Sequence, residues 1–249
     1  MDDYINKFDS FKKIMVYNFE FGRGGIGDCI KFFVFILELC MKNNTRLYYK
    51  KNNLEIENYI KLKYDKMYID EHSISLLDCV EIVTPQMYYA TQTYNYSIYI
   101  KDVFFFTDEV KINCNKLFSA DILSYKSIHL RLGDKFLETD MCFIDCTDDV
   151  RSFSEEKIHN FIEENYKHNI FFCCDNNEYK LKIKKKYNNI IITNCDIGHT
   201  SLCNTTTTQV LDAITEFYIL TNSVMIFAAS PSGFSITASK FNKIPLIIC

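Results

Sequence analysis

The sequence predicts an α/β protein built as two Rossmann-like halves facing each other across a cleft, residues 1–120 and 121–249. Three observations lead there. Short runs of β-branched and aromatic residues alternate with helical patterns, which argues for mostly parallel sheets. The seven glycines are concentrated: four fall in Gly22-Arg23-Gly24-Gly25-Ile26-Gly27, between a strand pattern and a helix pattern. Charged or small polar side chains also stand where other apolar runs end, at Arg131, Asp175 and Ser230–Ser232. In an open parallel sheet those carboxyl ends are where ligands are held.

The first half opens with a buried strand over Lys13–Phe19, followed by the glycine turn. A helix is predicted over Ile26–Met41. It is apolar nearly all round, with Asp28, Lys31, Glu38 and Lys42 as a narrow polar stripe. Arg46–Lys50 is the next strand, completing a βαβ unit. Residues 54–120 are rich in Tyr and Ile, carry Pro85, and yield only short apolar runs, Ser97–Ile100 and Val103–Phe106. A Tyr-rich core accounts for residues 59–106 more simply than an exposed aromatic binding surface. The break between the halves falls near residues 110–123.

The second series starts near Ser124. Ser127–Leu132 reads as a strand. Ser152-Phe153-Ser154-Glu155 has the spacing of a capping box, and Ile158, Phe161 and Ile162 give the helix after it an apolar face. A strand over Asn169–Cys174 ends at Asp175. Glu178–Tyr187 is a basic helix, and Asn189–Thr193 a strand. Thr207–Thr221 is a helix with Val210, Leu211, Ile214, Phe217 and Tyr218 on its buried side. A strand over Ser223–Ala228, a helix over Ser232–Phe241 and a strand over Pro245–Ile248 complete the order.

Composition narrows the function classes. A formal net charge of −4 argues against a general nucleic-acid binder. The most apolar window, Phe32–Leu39, is too short to span a membrane. Eleven cysteines, Cys173 and Cys174 adjacent within an apolar run, read as reduced thiols of a cytoplasmic protein. Cys142 and Cys146 have the spacing of half a zinc site, but no second pair accompanies them, so no metal site is expected.

The most informative stretch is His129-Leu130-Arg131-Leu132-Gly133-Asp134-Lys135. On a strand His129 and Arg131 share a face, and Gly133 turns the chain so that Asp134 and Lys135 come beside them. Arg131 is read as the diphosphate-binding cation, against the plainer account of an Arg131–Asp134 surface pair and a satisfied core histidine. The turn through Gly24, Gly25 and Gly27 presents backbone amides at a helix N-terminus, which favour an anion; tight packing would use the same glycines. Asp175 either faces the ligand or caps the next helix. Ser230, Ser232, Gly233, Phe234 and Ser235 form a turn that holds a phosphate or caps its helix. Asp212, in a mostly apolar or Thr-rich helix, needs a partner, either a ligand or an intrachain lysine or backbone donor. The chain contains no Asp-x-Asp, the usual carboxylate pair for a divalent ion on a sugar nucleotide.

In this order the pieces resemble the superfamily of fucosyltransferases that use GDP-fucose, most of all the α1,6 and nodulation type, with α1,2- and protein O-fucosyltransferases further away. Gly24-Gly25-Ile26-Gly27-Asp28-Cys29 is similar to its glycine loop and His129–Lys135 to its donor motif. Phe172–Asn176 is similar to its strand-end carboxylate motif, and Asp212–Ala238 to its final helix, strand and serine turn. The likeness is collinear over about residues 14–247. It implies a GT-B-like fold and an inverting, metal-independent enzyme that uses no cofactor, with a GDP-sugar donor and a glycan acceptor. The donor would be held by Gly24, Gly25, Gly27, His129, Arg131, Asp134, Lys135, Asp175, Asp212, Ser230, Ser232, Gly233, Phe234 and Ser235. Glu138 is the first candidate for the catalytic base and Asp28 the second. The absence of an anchor or extra domain points to a soluble cytoplasmic enzyme of bacterial or viral type. Ser230-Pro231-Ser232-Gly233 departs from the family's usual serine pair. A heptosyltransferase-like enzyme using an ADP-sugar and a non-catalytic nucleotide-sugar-binding protein are the alternatives.

Overall fold

The computed structural model describes residues 1–20, 22, 24–83, 91, 95, 97–118, 124–133, 150–195, 197–200 and 205–249. In the first half the strands are β1 (Lys13–Asn18), β2 (Thr45–Lys50), β3 (Ile60–Leu62), β4 (Tyr68–Ile69), β5 (Val80–Val83) and β6 (Phe104–Phe106). The helices there are α1 (Asp2–Lys7), α2 (Ile26–Lys42), α3 (Ile56–Tyr59), α4 (Glu71–Ser75) and α5 (Asp108–Leu117). The second half runs β7 (Tyr125–Leu130), α6 (Glu155–Glu164), β8 (Asn169–Cys174), α7 (Asn177–Lys186), β9 (Ile190–Ile191), α8 (Thr207–Thr221), β10 (Ile226–Ala228), α9 (Gly233–Asn242) and β11 (Leu246–Ile248).

Two parallel sheets result. One, in the order β4-β2-β1-β5, draws on residues 13–83; the other, β11-β10-β7-β8-β9, draws on residues 125–248. A separate antiparallel pair, β3 with β6, occupies the stretch where sequence patterns were weakest. It is held by rings: Phe104 packs on Phe33, and Phe106 on Phe217, Tyr218 and Phe241. Tyr59, Tyr68 and Phe104 all belong to the core or pack on it, in line with a Tyr-rich core.

Strand alternation explains how the second sheet serves two cores. Phe171 and Cys173 of β8 face the large cluster that also holds Tyr17, Phe33, Phe217 and Phe241. Ile170, Phe172 and Cys174 face a second cluster with Ile128, Leu130, Ile158 and Ile162. The large cluster takes residues from both sheets. Helix α9 packs on both α2 and α8, and α5 packs on α8.

Three local expectations are corrected. Lys31 and Glu38, read as part of a narrow polar stripe, lie buried. Lys31 is paired with Asp28 at 2.5 Å, and the Glu38 carboxylate accepts from Ser97 and Ile98. Ser154, not Ser152, is the cap of α6, accepting from Lys157 N at 3.3 Å, so Glu155 begins the helix and no capping box forms there. The strand at 189–193 contracts to Ile190–Ile191 because its neighbour β8 pairs with it over two residues only. The capping box sits instead on α8, between Thr206 and Gln209.

Candidate functional site

The glycine turn delivers α2 into close contact with α9. A Cβ on Gly27 would lie 2.5 Å from Gly233 O, so only glycine lets the two helix starts meet. Gly24 has φ +127°, and a Cβ there would lie 2.5 Å from the Asp28 carboxylate. Gly25 is the N-cap of α2 and contributes no side-chain cap. Thr200 fills that role from the other half of the chain: its Oγ1 accepts from Ile26 N at 3.2 Å. The His199 ring lies beside Gly25.

On the second sheet, β7, β8 and β10 end side by side, with His129 in register with Cys173 and Ala228. Arg131 lies just past β7. Its Nη1 is 3.0 Å from Asp175 Oδ2. Asp175 also accepts from Leu132 N at 2.7 Å and Gly133 N at 3.1 Å, so it fixes both the guanidinium and the turn. The cap of α7 is Asn176, accepting from Tyr179 N, not Asp175. Ser230 accepts from Arg131 N at 2.9 Å and donates to Arg131 O at 2.8 Å, locking β10 to β7. Ser232 caps α9 by accepting from Phe234 N, and Ser235 donates to Ser232 O.

His129 is 4% exposed and stacks on Phe234 with ring centroids 5.1 Å apart. Burial first and the Arg131 charge second push its pKa down to about 3, so it is neutral at physiological pH. Its Nδ1 finds no hydrogen-bond partner among the described residues.

A buried charge pair lies deeper. Lys180, fully shielded from solvent, places Nζ 2.6 Å from Glu216 Oε1, and the Thr193 hydroxyl donates to the same oxygen. Burial works against the ammonium, but Glu216 beside it overrides this and raises its pKa. The other oxygen, Oε2, has Cys173 Sγ at 3.4 Å. Burial, reinforced by Glu216, holds the Cys173 and Cys195 thiols well above the usual range, so they act as soft neutral walls.

These parts enclose a cavity of about 210 Å³. Among the residues nominated from the sequence, Gly25, Gly27, Asp28, His129, Arg131, Asp175, Ser232, Gly233 and Phe234 line it. Gly24, Ser230 and Ser235 stand behind it with the structural duties just described. Asp212 does not line it: its carboxylate accepts from the Asn113 side-chain amide on α5 at 2.9 Å, an intrachain donor that is neither the lysine nor the backbone group expected. Ala213 and, one helical turn beyond Asp212, Glu216 face the cavity instead. Asp134, Lys135, Glu138, Cys142 and Cys146 lie outside the described residues.

Several lining residues escaped the sequence reading, among them Arg151, Cys195, His199, Thr200 and Glu216. Glu216 had the same signal as Asp212, a carboxylate on an apolar helix. The loop residues had none. Among the described residues no group of three His, Cys, Asp or Glu is placed to hold a metal ion. No described helix is long and apolar enough to cross a membrane.

No protein-family model matches the sequence, and no curated protein matches it. Solved structures do. The chain superposes on a NodZ α-1,6-fucosyltransferase co-crystallised with GDP with a TM-score of 0.59, at 12% identity, covering 91% of this chain and 92% of that one. A fucosyltransferase NodZ from Bradyrhizobium gives 0.57 at 12% identity, with 91% and 92% covered. The fold is that of the fucosyltransferases. An arginine-to-lysine mutant of Arabidopsis thaliana FUT1 in complex with GDP gives 0.57 at 9% identity, covering all of this chain and 74% of that one. What is shared with these fucosyltransferases is the architecture, and it agrees with the likeness that the motifs suggested.

Proposed function

We propose that this protein is an inverting, metal-independent glycosyltransferase that moves L-fucose from GDP-fucose to a glycan hydroxyl. One observation carries the reading. A single cavity joins the starts of two helices and the Arg131 guanidinium at strand ends to a buried carboxylate, Glu216, on a fucosyltransferase fold. The sheets of residues 13–83 and 125–248 are then the cores of two Rossmann-like halves, 1–120 on the acceptor side and 121–249 on the donor side.

The chemistry follows from what each part offers. Departure of the donor's diphosphate builds negative charge on the β-phosphate. Arg131, held in place by Asp175, and the dipoles of α2 and α9, whose Ile26 and Phe234 amides are already capped, are preorganised for that charge. One such donor is worth about 3 kcal/mol in the transition state. Glu216 takes the place first given to Asp212. Lys180 and Thr193 hold one Glu216 oxygen and the Cys173 thiol meets the other, so a base edge with two adjacent N–H donors would use the lone pairs that remain on both. Guanine presents its N1–H and 2-amino group in that way; adenine and uracil do not. Asp28 and Glu138 are the candidates to accept the acceptor's proton, and Asp28 lines the cavity. The described cysteines are all free thiols, which suits a cytoplasmic site of action.

Calorimetry with GDP, ADP and UDP tests the reading, followed by a GDP-fucose assay against an acceptor-glycan panel. GDP should bind at least tenfold more tightly than the other two, and Arg131→Ala should stay folded but lose turnover. No GDP binding at millimolar concentration, or a preference for ADP, would overturn it.

A further inference from the structure

The α2 and α9 helices each begin at the cavity, and each is capped by a hydroxyl that lines it. Ser232 caps α9 from within its own turn, accepting from Phe234 N at 3.2 Å. Thr200 does the same for α2 from a distant part of the chain, accepting from Ile26 N at 3.2 Å. Gly25, at the N-cap of α2, has no side chain to do so. Other ties hold the segment that carries Thr200. Thr205 Oγ1 donates to His199 O at 2.7 Å and Gln209 Nε2 donates to Ile197 O at 3.4 Å. Gln209 belongs to the capping box of α8, so the start of α8 presents Thr200 to the start of α2.

A hydroxyl has one proton to give as well as lone pairs to accept with. At Thr200 a lone pair is taken by Ile26 N, and among the described residues the hydroxyl makes no other hydrogen bond. Its proton is left for a molecule in the cavity that Thr200 lines. The bond from the helix amide polarises the hydroxyl and makes it a stronger donor, and the α2 dipole adds to this. A second group in the same wall points to a ligand. His129 is 4% exposed and lines the cavity, and its Nδ1 has no hydrogen-bond partner among the described residues. A buried nitrogen without a protein partner calls for a polar molecule beside it. We propose that Thr200 is a phosphate-binding residue of this cavity, its hydroxyl donating to an anionic oxygen of the diphosphate and relaying the start of α2 to it. This rests on reading the cavity as the donor site.

Two substitutions test it. Thr200→Val keeps the shape and removes the hydroxyl, and Thr200→Ser keeps the hydroxyl. Both should stay folded, with a thermal midpoint close to that of the unmodified protein. Titration calorimetry compares pyrophosphate, GDP and guanosine. In Thr200→Val the affinity for pyrophosphate and GDP should fall roughly tenfold, the loss expected for one hydrogen bond to a charged group. Guanosine should bind as before, and Thr200→Ser should bind all three as the unmodified protein does. A rise in pyrophosphate affinity in Thr200→Val overturns the inference, because the hydroxyl would then be competing with phosphate for Ile26 N. Unchanged GDP affinity overturns it too and leaves the fucosyltransferase reading standing. So does an equal loss for guanosine, or an equal loss in Thr200→Ser, since Thr200 would then be holding the shape of the pocket. Pyrophosphate affinity lost in Thr200→Val alone, in a protein that does not prefer GDP over ADP, upholds the inference and removes the base assignment instead. Binding of neither pyrophosphate nor any nucleoside diphosphate by the unmodified protein removes both.

Discussion

The cavity has two ends that are assembled differently. Where α2 and α9 begin, the donors are backbone amides and guanidinium groups, contributed by both halves of the chain and brought within reach by Gly27 and Gly233. At the Glu216 end the groups are side chains alone, all from the second half, and they are buried: Lys180, Thr193, Cys173 and Glu216. Backbone amides at a helix start are always present and cost little to keep beside water. A buried carboxylate stands only while its cation stands with it. The first end therefore keeps its fold when a single side chain is lost, and the second does not.

The largest expected effect breaks the second end. Lys180→Met leaves Glu216 without its counter-charge and should cost about 3–5 kcal/mol in denaturant unfolding. The double substitution with Glu216→Gln should recover much of that stability while abolishing the proposed preference for GDP. If Lys180→Met is neutral, the two ends do not differ as described.

A pH titration reaches the end where the helices start. His129 has a native pKa of about 3 against an ordinary value near 6.5. Between those values the unfolded chain binds a proton that the native protein refuses. Stability is therefore full above about pH 6.5 and falls as pH drops toward 3. Between about pH 6 and 4 the loss is on the order of 2 kcal/mol, and His129→Phe should remove that slope. An unchanged slope in the variant would mean that His129 is protonated in the native protein.

The smallest effects separate the two helix starts from each other. Ser232→Ala removes a cap made within its own turn and should cost about 1 kcal/mol. Thr200→Val removes a cap that reaches α2 from a distant loop and should cost the same or less. Only Thr200→Val should also loosen the loop carrying His199 against Gly25, seen as faster amide exchange in both segments.

What could be read ahead of the structure follows the same division. The glycine turn, Arg131, Asp175 and the serine turn were legible because each sits where an apolar run ends, and that position is a property of the local chain. The helix Thr207–Thr221 was legible for the same reason. Asp212 was nominated over Glu216 because both lie on one apolar helix, and periodicity does not say which neighbour each will meet. Asn113, distant in sequence, satisfied the first. Lys180, nearer in sequence but on another helix, claimed the second through one carboxylate oxygen.

From its sequence alone this protein is an α/β chain with parallel strands whose ends carry a glycine turn and a strand-end arginine. Hydrophobic period and glycine placement are sufficient for that, since both act over a few residues. The tertiary structure alone decided that Thr200 caps α2, that Asp175 holds Arg131 and that Glu216 faces the cavity. Each of these is a contact between residues far apart in the chain. Such contacts are settled by which polar group finds a partner once the core has closed, and no local pattern encodes that outcome.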